Sequence, residues 1–337
     1  MRVSVVLALA LAAAAPAPVS NAPSALTVAI PPAAPVEPLL RLLLQPYADA
    51  SGTQLVTTAW DGAGLDGLKQ PVPDLALVSS LQLAAGCHAQ FFAKLDWARL
   101  GRDRLEPGAV SDCGAGAYLG VTAMAWDGDK EANIPGWADF WDVARRPGRR
   151  GLPRTGRFNL EIALLADGVA AGDVYRTLRT PDGLDRAFRK LDQLKPYIIW
   201  WDQPTQAAAL LTGGRVLFVA APAAAVLKAG AATHHHVGVQ WSGSLGEWQS
   251  WAVPKDAPHP GAALLALIVA GDPARQAKFA EATFLGPASK DALELLPLAA
   301  RAVSPGANQT AMLGVDEGFW SENGEKLEAR FAAWLAR

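Results

Sequence analysis

The residues able to do chemistry or hold a ligand fall into a few short groups. Residues 198–206, IIWWDQPTQ, set two indoles beside a carboxylate and polar groups. The faces of Trp200 and Trp201 suit a cationic or apolar guest, and Asp202, Thr205 and Gln206 would add polar contacts. Arg154, Thr155, Arg157 and Asn159 stand in a loop that enters a helical pattern over 159–168, which suits an anionic or amphoteric ligand. Ser79 and Ser80 end one strand pattern in two hydroxyls. Glu247 and Gln249 are two apart and so share a face of another strand. Neighbours on a strand point to opposite faces, so one of the two indoles is expected in a core and the other at a cleft. The plainer alternative packs both indoles beneath helices and leaves Asp202 as a helix cap.

Catalytic machinery is not legible. The chain has no G-x-S-x-G elbow, no Walker loop, no G-x-G-x-x-G after its first strand pattern, no H-E-x-x-H and no C-x-x-C. Its histidines are His88, His234, His235, His236 and His259. In the triplet only His234 and His236 would share a strand face, with no acid or cysteine close in sequence, so an exposed polar loop is expected there instead of a metal site. Paired acids such as Asp139 with Asp142 and Asp182 with Asp185 fall where helices start, the ordinary place for them. Nothing assembles a nucleophile, a base and an orienting group. Neither an enzyme nor a bound cofactor or metal is expected.

These residues need a scaffold, and the chain is long enough to build one. It has 337 residues, 51% of them hydrophobic and 18% charged, with a formal net charge of -2. That length suits about two domains, and the absence of a basic stripe argues against a nucleic-acid partner. Strand-like runs occupy 26–30, 53–60, 74–80, 118–127, 196–201, 215–221 and 248–254. Helical spacing marks 36–51, 159–168, 181–195 and 205–214, and most of 261–296. The strand–helix texture appears twice, over 26–126 and 128–250, followed by a helical tail. An α/β fold of two lobes is predicted, with small ligands held between them at strand ends.

The start of the chain reads as a processing segment. Arg2 precedes the apolar run VSVVLALALAAAA and a stretch of small residues, the pattern of a secretory signal peptide spanning 1–25. The apolar run is too short for a membrane span. In an exported protein Cys87 and Cys113 are expected to form one disulfide, stabilising by roughly 3 kcal/mol. Two buried free thiols are the alternative.

Several stretches together resemble one family. They include SSLQLAAGCHAQFFAKLDW (79–97), SDCGAGAYLGVTAMAWD (111–127), GWADFWDVARRPGRRGL (136–152) and VYRTLRTPDGLDRAFRKLDQLKPYIIWW (174–201). SWAVPKDAPHP (250–260), GPASKDALELLP (286–297) and FWSENGEKLEARFAAWL (319–335) extend the match. The chain resembles the extracellular solute-binding proteins of bacterial ABC importers, of the spermidine/putrescine group. The resemblance implies a type II periplasmic binding protein, a monomer that closes on a small solute and hands it to an inner-membrane permease. It implies lobe 1 from 26–126 plus 251–300, lobe 2 from 127–250, a C-terminal helical segment over 301–337, and hinges near Met124–Asp127 and Ser250–Pro254. It fits a Cys87–Cys113 bridge within the first lobe. It turns the strand end and helix start that carry Trp200, Trp201, Asp202 and Gln206 toward the ligand and sets Gln249 at a ligand-binding position; Ser79, Ser80, Thr155, Arg157, Asn159 and Glu247 join them as candidate ligand residues.

Against that group the chain departs at PPAAP (31–35), Gly120, APAAAV (221–226) and Gln249, each change removing an aromatic or a charge. Glu247 supplies a carboxylate from a shifted position on the same strand face. The expected ligand is a polyamine or another small amine. An organic anion or amino-acid-like solute is the alternative, and so is an exported accessory protein whose altered pocket serves a protein partner.

Overall fold

The structure, a computed structural model, describes residues 23–62, 64–131 and 136–337. The signal-peptide pattern lies almost wholly outside them.

Eight strands form one continuous curled sheet: β1 (Ala25–Ala29), β2 (Gln54–Thr58), β3 (Leu75–Ser79), β4 (Ala115–Asp127), β5 (Arg150–Pro153), β6 (Ile198–Trp201), β7 (Phe218–Pro222) and β8 (Val237–Ala252). Their order is β2-β1-β3-β8-β4-β7-β5-β6, and two two-residue strands add to it at β4 and β8. β2, β1 and β3 run parallel at one end, and β7, β5 and β6 run parallel at the other. The long antiparallel pair β4 and β8 joins the two groups. This is the expected α/β fold of two lobes.

The sequence signals hold locally. The helical stretch over 36–51 winds as a π-helix through Leu39–Leu44, and Gly52 ends it in the left-handed region at φ 73°, where a residue without Cβ carries no steric cost. Helix α1 (Ser80–His88) starts in a capping box made by Ser79 and Gln82. Further along the chain lie α2 (Asn159–Ala166) and α3 (Pro181–Leu194), with shorter helices between them and α1. Thr180 caps α3, whose buried face carries Ala187, Phe188, Leu191 and Leu194. Each large side chain buried in this way is worth about 1.5–3 kcal/mol. Helices α4 (Pro204–Thr212), α5 (Ala223–Thr233), α6 (Pro260–Ala270), α7 (Pro273–Thr283) and α8 (Glu317–Leu335) complete the set used below.

Two large cores mark the lobes. One packs Leu26, Leu43, Leu75, Tyr118, Trp251 and Phe279 beneath α6 and α7. The other packs Met124, Phe140, Leu160, Phe188, Phe319, Phe331 and Trp334. Helix α8 supplies Phe319, Trp320, Leu327, Phe331 and Trp334 to this second core. Cys87 and Cys113 are bonded, with Cα atoms 6.0 Å apart, tying the end of α1 to the approach to β4.

The strand expected over 248–254 is the last part of a 16-residue strand that begins at Val237. Of the strand's Gly238, Gly243 and Gly246, only Gly243 has positive φ, at 70°. It sits in an irregularity where the register jumps from Thr122↔Leu245 to Met124↔Gln240. The bulge bends the strand without ending it. The first half of β4 pairs only with β8 and a short strand, whereas Thr122–Trp126 pair with β7.

Candidate functional site

The cleft between the lobes holds a compact cluster of charge. It is built from four separate parts of the chain: the first residue of α1, the loop before α2, the middle of β8 and the start of α8. Ser80 directs its hydroxyl at Glu317, donating to Oε1 at 2.5 Å. Arg157 donates from Nη2 to both carboxylate oxygens of Glu317, at 2.9 and 3.1 Å. The same nitrogen lies 3.4 Å from Glu247 Oε1. The side chains of Arg157, Glu247 and Glu317 are only 15%, 19% and 14% exposed. Ser80 comes from the first lobe, Arg157 from the second, and Glu247 from the strand crossing between them.

The loop that carries Arg157 is held rigidly. Glu328 of α8 accepts from the Thr155 hydroxyl at 2.7 Å, from Gly156 N–H at 2.8 Å and from Arg157 N–H at 2.9 Å. Asn159 donates to the carbonyls of Pro153 and Thr155, both at 2.7 Å. Between them Phe158 adopts φ 73° and ψ -43°. A non-glycine residue held there costs on the order of 1–3 kcal/mol and persists only where its surroundings over-determine it. Here the two clamps do so, and the result aims the guanidinium at the cleft. The guanidinium also stands 5.5 Å from the Phe158 ring centre and 5.8 Å from that of Trp320.

The electrostatics follow from burial. Desolvation is the largest influence on Glu247 and pushes its carboxyl above the ordinary range; Glu317 adds to the shift and Arg157 opposes it. Burial works against the charge on Arg157, but Glu247 and Glu317 outweigh it and hold the guanidinium above its ordinary value. One turn along α2, Glu161 is fully buried and also pushed up by desolvation. Its Oε1 accepts from Trp320 Nε1 at 2.7 Å and from the Tyr175 hydroxyl at 3.0 Å. Arg157 Nη1 is buried and makes no hydrogen bond. A buried donor left unmade costs about 1–3 kcal/mol, and Glu161 Oε2 is likewise buried without a hydrogen bond.

A cavity of about 610 Å³ opens beside this cluster, lined by Ser80, Leu83, Glu247, Trp248, Met312 and Glu317 among others. Such a volume is ordinary for a small-molecule site. A larger opening of about 1070 Å³ lies at the ends of β1 and β2, around Pro32, Thr57 and Trp60. Only the first lobe lines it, and no buried charge cluster faces it, so the interlobe cavity is the better candidate.

The expected site residues divide sharply. Ser80, Arg157 and Glu247 meet in the cluster. Gln249 is half-buried on the Glu247 face of β8, in register with Ser79. The Ser79 hydroxyl accepts from Gln82 N–H at 3.3 Å as a helix cap, and Thr155 and Asn159 hold the loop without facing the cavity.

The strand end at 200–206 does not join them. Trp201 is buried in the second lobe and donates to the Ala220 carbonyl at 3.2 Å. Trp200 packs edge-on against Phe331 and Trp334, at 5.8 and 6.0 Å. Both indoles are packing residues because helices cover both faces of β6. Asp202 pairs with Arg154 at 3.1 Å on the surface, and Gln206 Oε1 accepts from the N–H groups of Asp202 and Gln203 at the start of α4. Glu317, Glu328 and Glu161 were not anticipated. Glu317 follows Asp316, whose side chain caps α8 by accepting from Phe319 N–H, and an acid beside a cap looks like more capping.

A family model for bacterial extracellular solute-binding proteins matches residues 65–304. The chain belongs to that family. It is a solute-binding protein and not an enzyme. A gamma-aminobutyric acid-binding protein of Pseudomonas aeruginosa is 39% identical over 305 residues, covering 87% of this chain and 86% of that one. The solved structure of a GABA receptor superposes with TM-score 0.82 at 24% identity, over 93% of this chain and 98% of the other. An ABC transporter substrate-binding protein from Bradyrhizobium japonicum gives 0.82 at 26%, over 93% and 99%. The family match upholds the resemblance read from sequence at the level of solute-binding protein. It does not single out the spermidine/putrescine group, because the relative at 39% identity is named for GABA. Among the described residues no helix is long and apolar enough to cross a membrane.

Proposed function

We propose that the protein is the periplasmic receptor of an ABC importer and captures a small amino-acid-like zwitterion of the GABA type. One observation carries the ligand class. Arg157 presents an unpaired, buried N–H at Nη1 while its Nη2 is held by Glu317 beside Glu247. A carboxylate on the ligand would satisfy Nη1 through a charge-assisted bond. An ammonium at the other end of the ligand would meet Glu247 and Glu317, which together carry more negative charge than the one guanidinium balances. A zwitterion satisfies both demands at once. A polyamine satisfies only the second and leaves Nη1 unmade. The GABA-binding relative supports the same choice.

Ser80 of the first lobe and Arg157 of the second already meet on Glu317, so movement of the lobes would open and close the cavity beside them. Desolvation on closure strengthens each ionic contact. Calorimetric titration and melting curves with GABA, shorter and longer ω-amino acids, glutamate, putrescine and spermidine test the reading. An ω-amino acid present at about 100 times its dissociation constant should stabilise the protein by about 2.7 kcal/mol. Tight binding of putrescine or spermidine with no response to any ω-amino acid would restore the polyamine reading.

A further inference from the structure

A second constellation stands at the far end of the second lobe. β4 ends at Asp127 and β8 begins at Val237, and the two residues are paired. The turn Asp127-Gly128-Asp129 therefore lies against the histidine triplet that leads into β8. One ligand atom each from Asp127, Asp129 and His235 falls within 4.8 Å of the others. The sequence alone placed no acid near these histidines, because Asp127 and Asp129 are more than a hundred positions away.

We propose that Asp127, Asp129 and His235 form a binding site for a transition-metal dication such as Zn²⁺ or Ni²⁺, with His236 beside it. His235 Nε2 lies 3.4 Å from Asp127 Oδ1, and Asp127 is 1% exposed. That nitrogen is shut off from solvent yet makes no hydrogen bond. A spacing of 3.4 Å is long for a hydrogen bond. It matches the separation of about 3.3 Å expected between two donors on one tetrahedral zinc ion.

Two further features shape the site. Gly128 leaves room for the His236 ring, since a Cβ at that position would come 2.5 Å from His236 Nδ1. His236 Nδ1 then stands 4.0 Å from Asp129 Oδ1, near enough to serve as a fourth donor in place of water. Lys130 Nζ occupies the other oxygen of Asp127, at 2.8 Å, while Oδ1 accepts from Asp129 N–H at 3.1 Å and keeps a lone pair toward His235. Imidazole with carboxylates favours zinc, nickel or copper over magnesium or calcium. Glu247 lies roughly 30 Å further along β8, so the metal would not meet the solute. It would fasten the end of β4 to the start of β8.

The test uses tag-free protein stripped with chelator, titrated calorimetrically with ZnCl₂ and melted with and without it. The expected result is one equivalent bound, a raised melting temperature, and no response to MgCl₂ or CaCl₂. His235→Ala and Asp129→Asn should each weaken zinc binding by about tenfold or more. Both should leave the melting temperature without metal near the wild-type value, as Asp129 is exposed. His259→Ala, beside Asp74 in the other lobe, should change nothing. Absence of saturable zinc binding, unchanged affinity in both variants, or loss of binding in His259→Ala would each overturn the proposal.

Discussion

Strands β5 and β6 lie side by side and parallel, and each delivers a charged group just past its last residue. After β5 the chain places Arg157 against Glu317 and Glu247, all less than one-fifth exposed. After β6 it places Asp202 against Arg154, at 57% and 46% exposure. The residue types are alike and the distances similar, so burial is what separates them. Water screens the second pair, and such pairs contribute little. The first group has lost its water and depends on its partners for solvation. Only the desolvated group can discriminate a ligand by charge.

Arg157→Ala should have the largest effect. It would strand two buried carboxylates, a change that costs about 3–5 kcal/mol, and it would abolish solute binding. Urea unfolding and calorimetry would show both; a stable variant with intact affinity would erase the contrast between the two strand ends. Glu328→Gln comes next. It removes the charge from three hydrogen bonds that hold the Arg157 loop, so a loss of about 2 kcal/mol is expected. Solute affinity should weaken while the cavity residues stay unchanged.

The pH dependence gives a smaller and signed effect. Burial raises the Glu161 carboxyl above its ordinary value of 4.5, so the folded state holds that proton more tightly than the unfolded chain. Its contribution to stability is present below the unfolded value and is lost as pH rises through the folded one. Glu161→Gln keeps an acceptor for Trp320 and Tyr175 and should flatten that fall. A variant whose stability tracks the wild type across the same range would remove Glu161 from the argument. Arg154→Ala should do least, shifting stability by about 0.5 kcal/mol or less with no change in solute binding.

Much of this was legible before the structure. The helix over 36–51, its stop at Gly52, the α/β lobes and the Cys87–Cys113 bond all follow from local patterns. Ser80, Arg157 and Glu247, which the structure gathers in one cluster, drew notice because hydroxyls at a strand end, an arginine before a helix and an acid on a strand face are local signals. Glu317 and Glu328 were not. Their roles depend on α8 returning to the second lobe, and no spacing records that. The paired indoles misled for a related reason: alternation says that two faces exist, but not that helices cover both. Of β8, only the end over 248–254 read as a strand before the structure.

Helix α8 runs from Glu317, at Ser80 of the first lobe, to Phe331 and Trp334 in the second. Its 19 residues span about 28 Å. This makes it a ready-made pointer between the two bodies. A fluorophore on exposed Ala333 would ride with the second lobe, and one on exposed Leu265 would ride with the first. Both positions lie outside the cavity, so energy transfer between the dyes would report each capture event without touching the guest.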